Sequence, residues 1–395
     1  MYSVFIAHTL ENDLDSDRLW ATIRRHKLME NFSVRRNRIR RVIEKQRLDA
    51  LLITNPLNLR YLTGFTGGSG CLLIQPDGDM ILSDPRFTIQ IEEECPDLAA
   101  IIRPRSESTS KTLAKLLGRT PGKLGIEAET VTIAQKERLL QHISHWETIP
   151  TKNTVEELRQ TKDRYELARI RQAVDIADRA FQYVRSQLQP SMSEIDICNM
   201  LEHQMRLLGA ENRSFPSIIG AGARAALPHA TPSKQTFLGQ SHLLFDWGAV
   251  VNGYMSDLTR VLILTPQNKS TQGKKLRTVY ETVLTAQEAA IAAIKPGKTC
   301  EEIDAIARNI ITEAGFGKHF GHGLGHAIGL QVHENPRLAP GDKTVLKAGM
   351  VVTVEPGIYL KGWGGVRIED DVLVIKTGCE VLSSNVPKTF DEMCW

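Results

Sequence analysis

The sequence predicts an α/β unit followed by an α+β unit, and three observations carry that prediction. At 395 residues the chain exceeds the usual size of one hydrophobic core. Its first half alternates apolar runs of strand length with short helical stretches, whereas its second half sets long amphipathic helices among strand pairs. Between them IPTKNTVEELRQ supplies a proline, a polar run and a helix N-cap in Asn153 or Thr154, so the first unit is drawn over 35–152 and the second over 153–395.

Residues 1–34 lack sustained periodicity and are expected to form a poorly ordered extension, with Met29 a candidate for the true start. From Arg35 a basic amphipathic helix begins, in which Arg35, Arg36, Arg38, Arg40 and Arg41 read as a solvated face rather than a phosphate-binding patch. LDALLITN is a strand. In YLTGFTGGSGCLLIQPDGDMILSD two strand-like runs flank the turn signal Pro76-Asp77-Gly78, and Asp84-Pro85-Arg86 reads as a further turn. Helices are expected at FTIQIEEE and SESTSKTLAKLLGR, and a strand at KLGIEA. The second unit opens on one long helical segment, VEELRQTKDRYELARIRQAVDIADRAFQYVRSQL, followed by helices at SEIDICNMLEHQMRLLG, KKLRTVYETVLTAQEAAIAAI and EEIDAIARNIITEAG.

Composition narrows the function classes. A net charge of +3 provides no large field for nucleic acid or a membrane surface, and no apolar stretch reaches the roughly 18 residues of a bilayer span. The six cysteines, Cys71, Cys95, Cys198, Cys300, Cys379 and Cys394, form no CxxC pair and read as unpaired thiols of a reducing cytoplasm. MYSVFIAHTLENDLDSD, with a short apolar run, no preceding basic residue and acidic residues straight after, is a poor signal peptide. A cytoplasmic location is therefore expected.

The chemically loaded residues fall in the second unit. In GHGLGHAIGLQVHENP, His322 and His326 stand four apart, as the ligands of an H-E-x-x-H zinc helix do. No glutamate follows His322, and Gly323 and Gly325 would each cost a helix interior roughly 1 kcal/mol, so the stretch is expected to be a loop or bent strand. Any metal would draw its other ligands from elsewhere.

Two stretches offer them. In HLLFDWGAVVNGYMSDLTRVLILT, Asn252-Gly253 signals a type I′ hairpin, which faces Val251 with Tyr254, Gly248 with Asp257 and Asp246 with Thr259. Asp246 and Asp257 then share a face as diagonal neighbours, with Cβ atoms roughly 7 to 8 Å apart. Either aspartate alone reads as a turn or strand-end residue; the shared parity and the apolar strands around the pair favour a metal site, and Arg260 cannot neutralise both. In MVVTVEPGIYLKGWGGVRIEDDVLVI, Glu355 closes an apolar strand before Pro356-Gly357, and Arg367 and Glu369 share a face opposite Val366 and Ile368. Glu369 alone reads equally as a salt bridge to Arg367, and Asp370 and Asp371 as surface groups or groups behind the site. Asp246, Asp257, Glu355 and Glu369 with one histidine make a set whose charge balances two divalent cations and whose oxygen-rich character suits Mn²⁺.

DWGAVVNGYMSDLTR, GHGLGHAIGLQVHE, TVEPGIY and VRIEDDVLV, in that order, resemble the motifs of the pita-bread metallopeptidases, the family of aminopeptidase P, prolidase and methionine aminopeptidase. LRYLTGFTGGSGCLLI and SDPRFTIQ resemble its creatinase-type N-terminal domain, so the likeness spans nearly all of residues 36–395. The resemblance implies an α/β creatinase-like domain followed by a pita-bread catalytic domain. It implies that Asp246 chelates one metal, that His326 and Glu355 hold the other, and that Asp257 and Glu369 bridge both, with Mn²⁺ expected and Co²⁺ or Zn²⁺ as alternatives. His229, His322 and His333 would be substrate-side groups, His333 bonding the scissile carbonyl or the developing oxyanion, and His319 stays structural. Attack by a metal-bridging hydroxide on the carbonyl before proline is implied, with Glu355 shuttling its proton and Arg367 tuning Glu369. The expected activity is that of an Xaa-Pro aminopeptidase acting on peptides with proline second, with prolidase the alternative. The context around RIEDD disfavours methionine aminopeptidase, and the intact ligand positions count against a metal-free creatinase-like enzyme or a non-catalytic binder. A homodimer or higher homo-oligomer is expected from the same likeness.

Overall fold

The computed structural model describes residues 32–264 and 271–395. Positions 1–31 of the expected extension, with Met29, lie outside the described residues, while Phe32–Val34 form the first turn of helix α1 (Phe32–Gln46). The basic face of α1 is solvated only in part: Arg38 and Arg41 are exposed and Arg40 is half-buried. Arg35 and Arg36 are buried: Arg35 meets Asp163 at 2.7 Å and Glu166 at 3.2 Å, and Arg36 meets Asp79 at 2.8 Å and Asp97 at 2.5 Å. A guanidinium carries enough donors to be buried where carboxylates and carbonyls converge on it. Their partners lie far along the chain, and so the local pattern could not reveal the burial.

Strand β1 (Ala50–Ile53) is buried throughout. It leads into helix α2 (Pro56–Thr63), which the sequence reading did not assign; Asn55 caps its start, Pro56 occupies its first turn and Gly64, at φ 81°, closes it. β2 (Cys71–Gln75) and β3 (Gly78–Ser83) pair across the expected Pro76-Asp77 turn, and Asp84 caps a short 3₁₀ turn at Pro85–Phe87. Then come α3 (Thr88–Glu94), β4 (Ala99–Ile102), α4 (Thr109–Leu117), β5 (Gly122–Glu127), α5 (Ile133–Leu140) and β6 (Trp146–Thr151). The six strands form one sheet in the order β4-β3-β2-β1-β5-β6, in which β2 alone runs against its neighbours. Alternation along β1 sends Ala50 and Leu52 towards α4 and α5, and Leu51 and Ile53 towards α1 and a core continued by Ile170, Val174, Tyr254 and Leu330 of the second unit.

The long helix expected at the start of the second unit is broken into α6 (Glu156–Arg159) and α7 (Arg164–Gln187). Val155, not Asn153 or Thr154, stands at the N-cap of α6 and makes no side-chain cap bond, while Asn153 sits at φ 55°. The break itself is a capping box: Asp163 accepts from the amides of Tyr165 and Glu166, and the Glu166 side chain in turn accepts from the Asp163 amide. After α8 (Glu194–Leu207) the chain lays down β7 (Asn212–Arg213), β8 (Ile218–Ala221), β9 (His242–Trp247), β10 (Ala249–Val251), β11 (Tyr254–Met255) and β12 (Leu258–Ile263). Helices α9 (Thr271–Ala293) and α10 (Cys300–Glu313) precede β13 (Gly325–Ala327), β14 (Glu334–Leu338), β15 (Val351–Val354), β16 (Gly357–Leu360), β17 (Gly364–Arg367), β18 (Asp370–Ile375) and β19 (Gly378–Val381).

Two sheets dominate, β12-β9-β8 and β14-β13-β15-β18-β19, and a bridge between Thr259 and Glu369 ties the first to the chain entering β18. Residues of α7 to α10 share one core with these strands, in which Phe181 stacks on Trp247 at 4.7 Å. All six cysteines are free thiols. No helix among the described residues is long and apolar enough to cross a membrane.

Candidate metal centre and substrate cavity

The β9–β12 hairpin adopts the expected register. Val251 pairs with Tyr254 and Asp246 with Thr259, across a turn in which Asn252 and Gly253 hold φ 47° and 77°. Gly248 is required where the ladder breaks, because a Cβ there would lie 1.9 Å from the Ser256 carbonyl oxygen. The chain entering β18 then docks on β12: the Glu369 amide donates to the Thr259 carbonyl at 3.1 Å, and the Thr259 hydroxyl donates to Glu369 Oε2 at 2.6 Å. From the other sheet, His326 on β13 places Nε2 3.3 Å from Glu355 Oε1 and 3.7 Å from Asp257 Oδ2. Asp257, His326 and Glu369 thus offer ligand atoms within 4.8 Å of one another.

A cavity of about 790 Å³ opens on this cluster and is lined by every predicted site residue: Asp246, Asp257, His326, Glu355, Glu369, His229, His322, His333 and Arg367. His229 and His333 are exposed towards its mouth, and the His333 ring lies 4.4 Å from that of His326. His319 lies away from it, on a short 3₁₀ turn. Phe215, Pro216, Ile218, Pro228 and Val332 give part of the wall an apolar surface.

Neighbouring groups decide between alternatives that the sequence leaves open. Arg367 makes its ion pair with Asp246 Oδ2, not with Glu369; it reaches Glu369 through its field and through the Thr259 hydroxyl, which accepts from Arg367 Nε at 3.0 Å and donates to Glu369. Asp370 and Asp371 are not at the surface. Asp370 is buried against Arg260 at 2.7 Å, Gln287, Ser383 and Lys388, which also explains why Arg260 serves neither site aspartate. Asp371 lies behind the site and accepts from the Asp257 amide at 3.1 Å. Tyr359 was missed: its hydroxyl stands between His322 Nε2 at 2.9 Å and Arg367 Nη1 at 2.8 Å. The signal was its place four residues after Glu355, where the β16–β17 hairpin folds it back against Gly365. Arg337 also lines the cavity unforeseen, and its guanidinium makes no ion pair among the described residues.

Electrostatics single out the cluster. Burial, followed by the charges of Glu369, Asp246 and Glu355, holds the Asp257 carboxyl well above the usual range. Burial, Glu355 and Asp246 do the same to Glu369. Asp246 is raised by burial against the opposing pull of Arg367, and Glu355 lies low because His326 and Arg367 outweigh its burial. Burial lowers both His322 and His333. Asp246 Oδ1 is buried without a hydrogen-bond partner among the described residues. Carboxylates packed against one another, with an orphaned oxygen and an imidazole aimed into the same space, fit divalent cations of the oxygen- and nitrogen-seeking kind.

The sign of the pH dependence follows. A carboxyl whose folded pKa is raised stabilises the fold most below its unfolded pKa of about 4, and that stabilisation is lost as pH rises through the folded value. With Asp257 and Glu369 both raised, thermal melts of chelator-treated protein should show stability falling from mildly acidic to neutral pH. Added Mn²⁺ should remove that fall. A metal-free melting curve flat across the range would contradict the charge crowding.

Known proteins resemble the chain over both of its units. Residues 168–376 match the model of Metallopeptidase family M24, and residues 35–161 that of the Creatinase/Prolidase N-terminal domain. The uncharacterized peptidase YqhT of Bacillus subtilis is 36% identical over 343 residues, covering 86% of this chain and 95% of its own. Among solved structures, an Xaa-Pro dipeptidase from Bacillus anthracis is 38% identical with a TM-score of 0.85, covering 91% of this chain and 99% of that one. An X-Pro aminopeptidase from Thermotoga maritima is 34% identical with a TM-score of 0.80, covering 89% and 99%.

Proposed function

The chain belongs to Metallopeptidase family M24, with a creatinase-type domain ahead of a pita-bread catalytic domain, and on that basis we propose that it is a metal-dependent exopeptidase cleaving between an N-terminal residue and a following proline. The observation that carries the reading is the convergence of Asp257, His326 and Glu369 at the floor of an apolar-walled cavity, with Asp246 and Glu355 beside them. In this reading Asp246, Asp257, His326, Glu355 and Glu369 hold two divalent cations, Mn²⁺ first. Bound there, such ions would lower the pKa of water and polarise a carbonyl.

The remaining work belongs to the chain's own side chains. Glu355, which faces His326 and whose carboxyl His326 and Arg367 hold low, would accept a proton from water and return it to the departing proline nitrogen. His333, lining the cavity, offers a hydrogen bond to the carbonyl oxygen as charge builds on it, while His322, its ring nitrogens bonded to Tyr359 and to the Gly323 carbonyl, lines the substrate side. Arg367 and Tyr359 hold Asp246 and His322 in place, and the apolar wall suits a pyrrolidine ring while His229 guards the mouth. The aminopeptidase reading stands first. The dipeptidase reading is favoured by one specific feature, the Arg337 guanidinium, which lines the cavity without an ion pair among the described residues and which a dipeptide's free carboxylate would meet.

The test is hydrolysis by metal-stripped, Mn²⁺-reconstituted protein of an Xaa-Pro dipeptide, a longer Xaa-Pro-Yaa peptide and a Met-Ala-led peptide. Cleavage of the longer proline peptide is expected for an aminopeptidase, and turnover confined to the dipeptide for a prolidase. Cleavage of the Met-Ala peptide alone would defeat both.

A further inference from the structure

The loop from Ile328 to His333 joins β13, which bears His326, to β14, and its far end is held from below. Glu334, the residue after His333, is buried. Its Oε1 accepts from Arg159 Nη2 at 2.5 Å and from the Gln331 amide at 3.2 Å, and its Oε2 accepts from Lys162 Nζ at 3.2 Å. Gly329 leaves the room this carboxylate needs, because a Cβ there would lie 2.8 Å from both of its oxygens.

The chain of contacts continues into the first unit. Arg159 Nη1 donates to Asn58 Oδ1 at 2.8 Å, and the Asn58 amide donates to Glu127 Oε1 at 2.7 Å and Glu156 Oε1 at 2.6 Å. Glu127, at the end of β5, takes the amides of Thr54 and Asn55 at 2.5 and 2.7 Å, just beyond β1. Arg159, Lys162 and Asn58 are all buried, so the bonds from Glu334 to Arg159 and Lys162, and from Asn58 to Arg159 and Glu127, are made where water cannot replace them. Burial alone would raise the Glu334 carboxyl, yet Lys162 and Arg159 hold it below the usual range. None of Asn58, Arg159 and Glu334 lines the substrate cavity.

We propose that Asn58, Arg159 and Glu334 are positioning residues through which the sheet of the first unit holds His333 over the Asp257–His326–Glu369 cluster. This inference rests on the role of His333 in the proposed peptidase reaction. It gives the N-terminal unit, which supplies no residue to the cavity, a part in catalysis.

The test is a double-mutant cycle in the full-length, Mn²⁺-loaded protein. Asn58→Ala and the milder Arg159→Lys, which keeps the charge but removes the second donor arm, are each made with His333 present and in a His333→Ala background. The readouts are kcat and KM on an Xaa-Pro peptide, metal content, melting temperature and, on metal-free protein, the imidazole NMR signal of His333. With His333 present each substitution is expected to lower kcat/KM about tenfold, and with His333→Ala the further loss should shrink to less than about twofold. Metal content should be unchanged and the His333 signal shifted or broadened. Equal losses in both backgrounds with an undisturbed His333 signal would overturn the proposal. If His333→Ala alone left activity intact, the proposed role of His333 would fail, and the NMR signal would still decide whether the network holds the ring.

Discussion

Replacing Asp257 by asparagine is expected to abolish peptide hydrolysis while making the metal-free protein more stable. The two effects share one cause. Asp257 is buried among Glu369, Asp246, Glu355 and Asp371, and every one of those carboxylates raises its pKa. Without a cation the fold must tolerate this crowding or take up protons; an amide of the same shape removes one charge and leaves the backbone bond from the Asp257 amide to Asp371 intact. With a cation the balance inverts, since Asp257 stands with His326 and Glu369 in the cluster best placed to bind it. Losing metal-dependent polarisation amounts to several kcal/mol of transition-state stabilisation, or at least about a thousandfold in kcat/KM at roughly 1.4 kcal/mol per decade. Asp257→Asn should therefore melt higher than the wild type after chelation and lower than it in excess Mn²⁺. A variant destabilised under both conditions would mean that the carboxylate is structural and that the ligand assignment is wrong.

Much of this site was legible because short-range geometry decided it. Asn252-Gly253 admits one hairpin register, and that register alone brings Asp246 opposite Thr259 and puts Asp257 on its face. The alternation Arg367, Ile368, Glu369 likewise separated cavity from core before any partner was known. Identities of partners across the fold were another matter. Arg367 could have answered Glu369 or Asp246 equally well; the choice is made by the Thr259–Glu369 bridge, which joins segments 110 residues apart and satisfies Glu369 with a hydroxyl instead. Burial of Arg35 and Arg36 was hidden for the same reason: Arg35 is met by Asp163 and Glu166 of the other unit, and Arg36 by Asp79 and Asp97, distant in the sequence of its own. The break before α7 was different: Asp163 and Glu166 announce a capping box, but apolar periodicity carried through it and was given more weight than the cap.

Arg337→Met is expected to separate the two readings of substrate length. The substitution keeps an apolar stem of similar reach and removes the charge. Arg337 lines the cavity with His333, close enough for its charge to lower the His333 pKa, and its guanidinium makes no ion pair among the described residues. A planar fork of donors matches a carboxylate. In an Xaa-Pro dipeptide that carboxylate is carried by the proline itself, whereas in a longer peptide the same position is a neutral amide. If the chain reads dipeptides through this group, Arg337→Met should reduce kcat/KM for the dipeptide by about ten- to a hundredfold, the scale of one or two charge-assisted hydrogen bonds. Hydrolysis of Xaa-Pro-Yaa should change little, and because Arg337 is exposed, high salt should weaken dipeptide turnover by the wild type but not by the variant. If the chain is instead an aminopeptidase indifferent to the C-terminus, the variant should leave the ratio of dipeptide to longer-peptide turnover where it was, and the salt dependence of the two substrates should coincide.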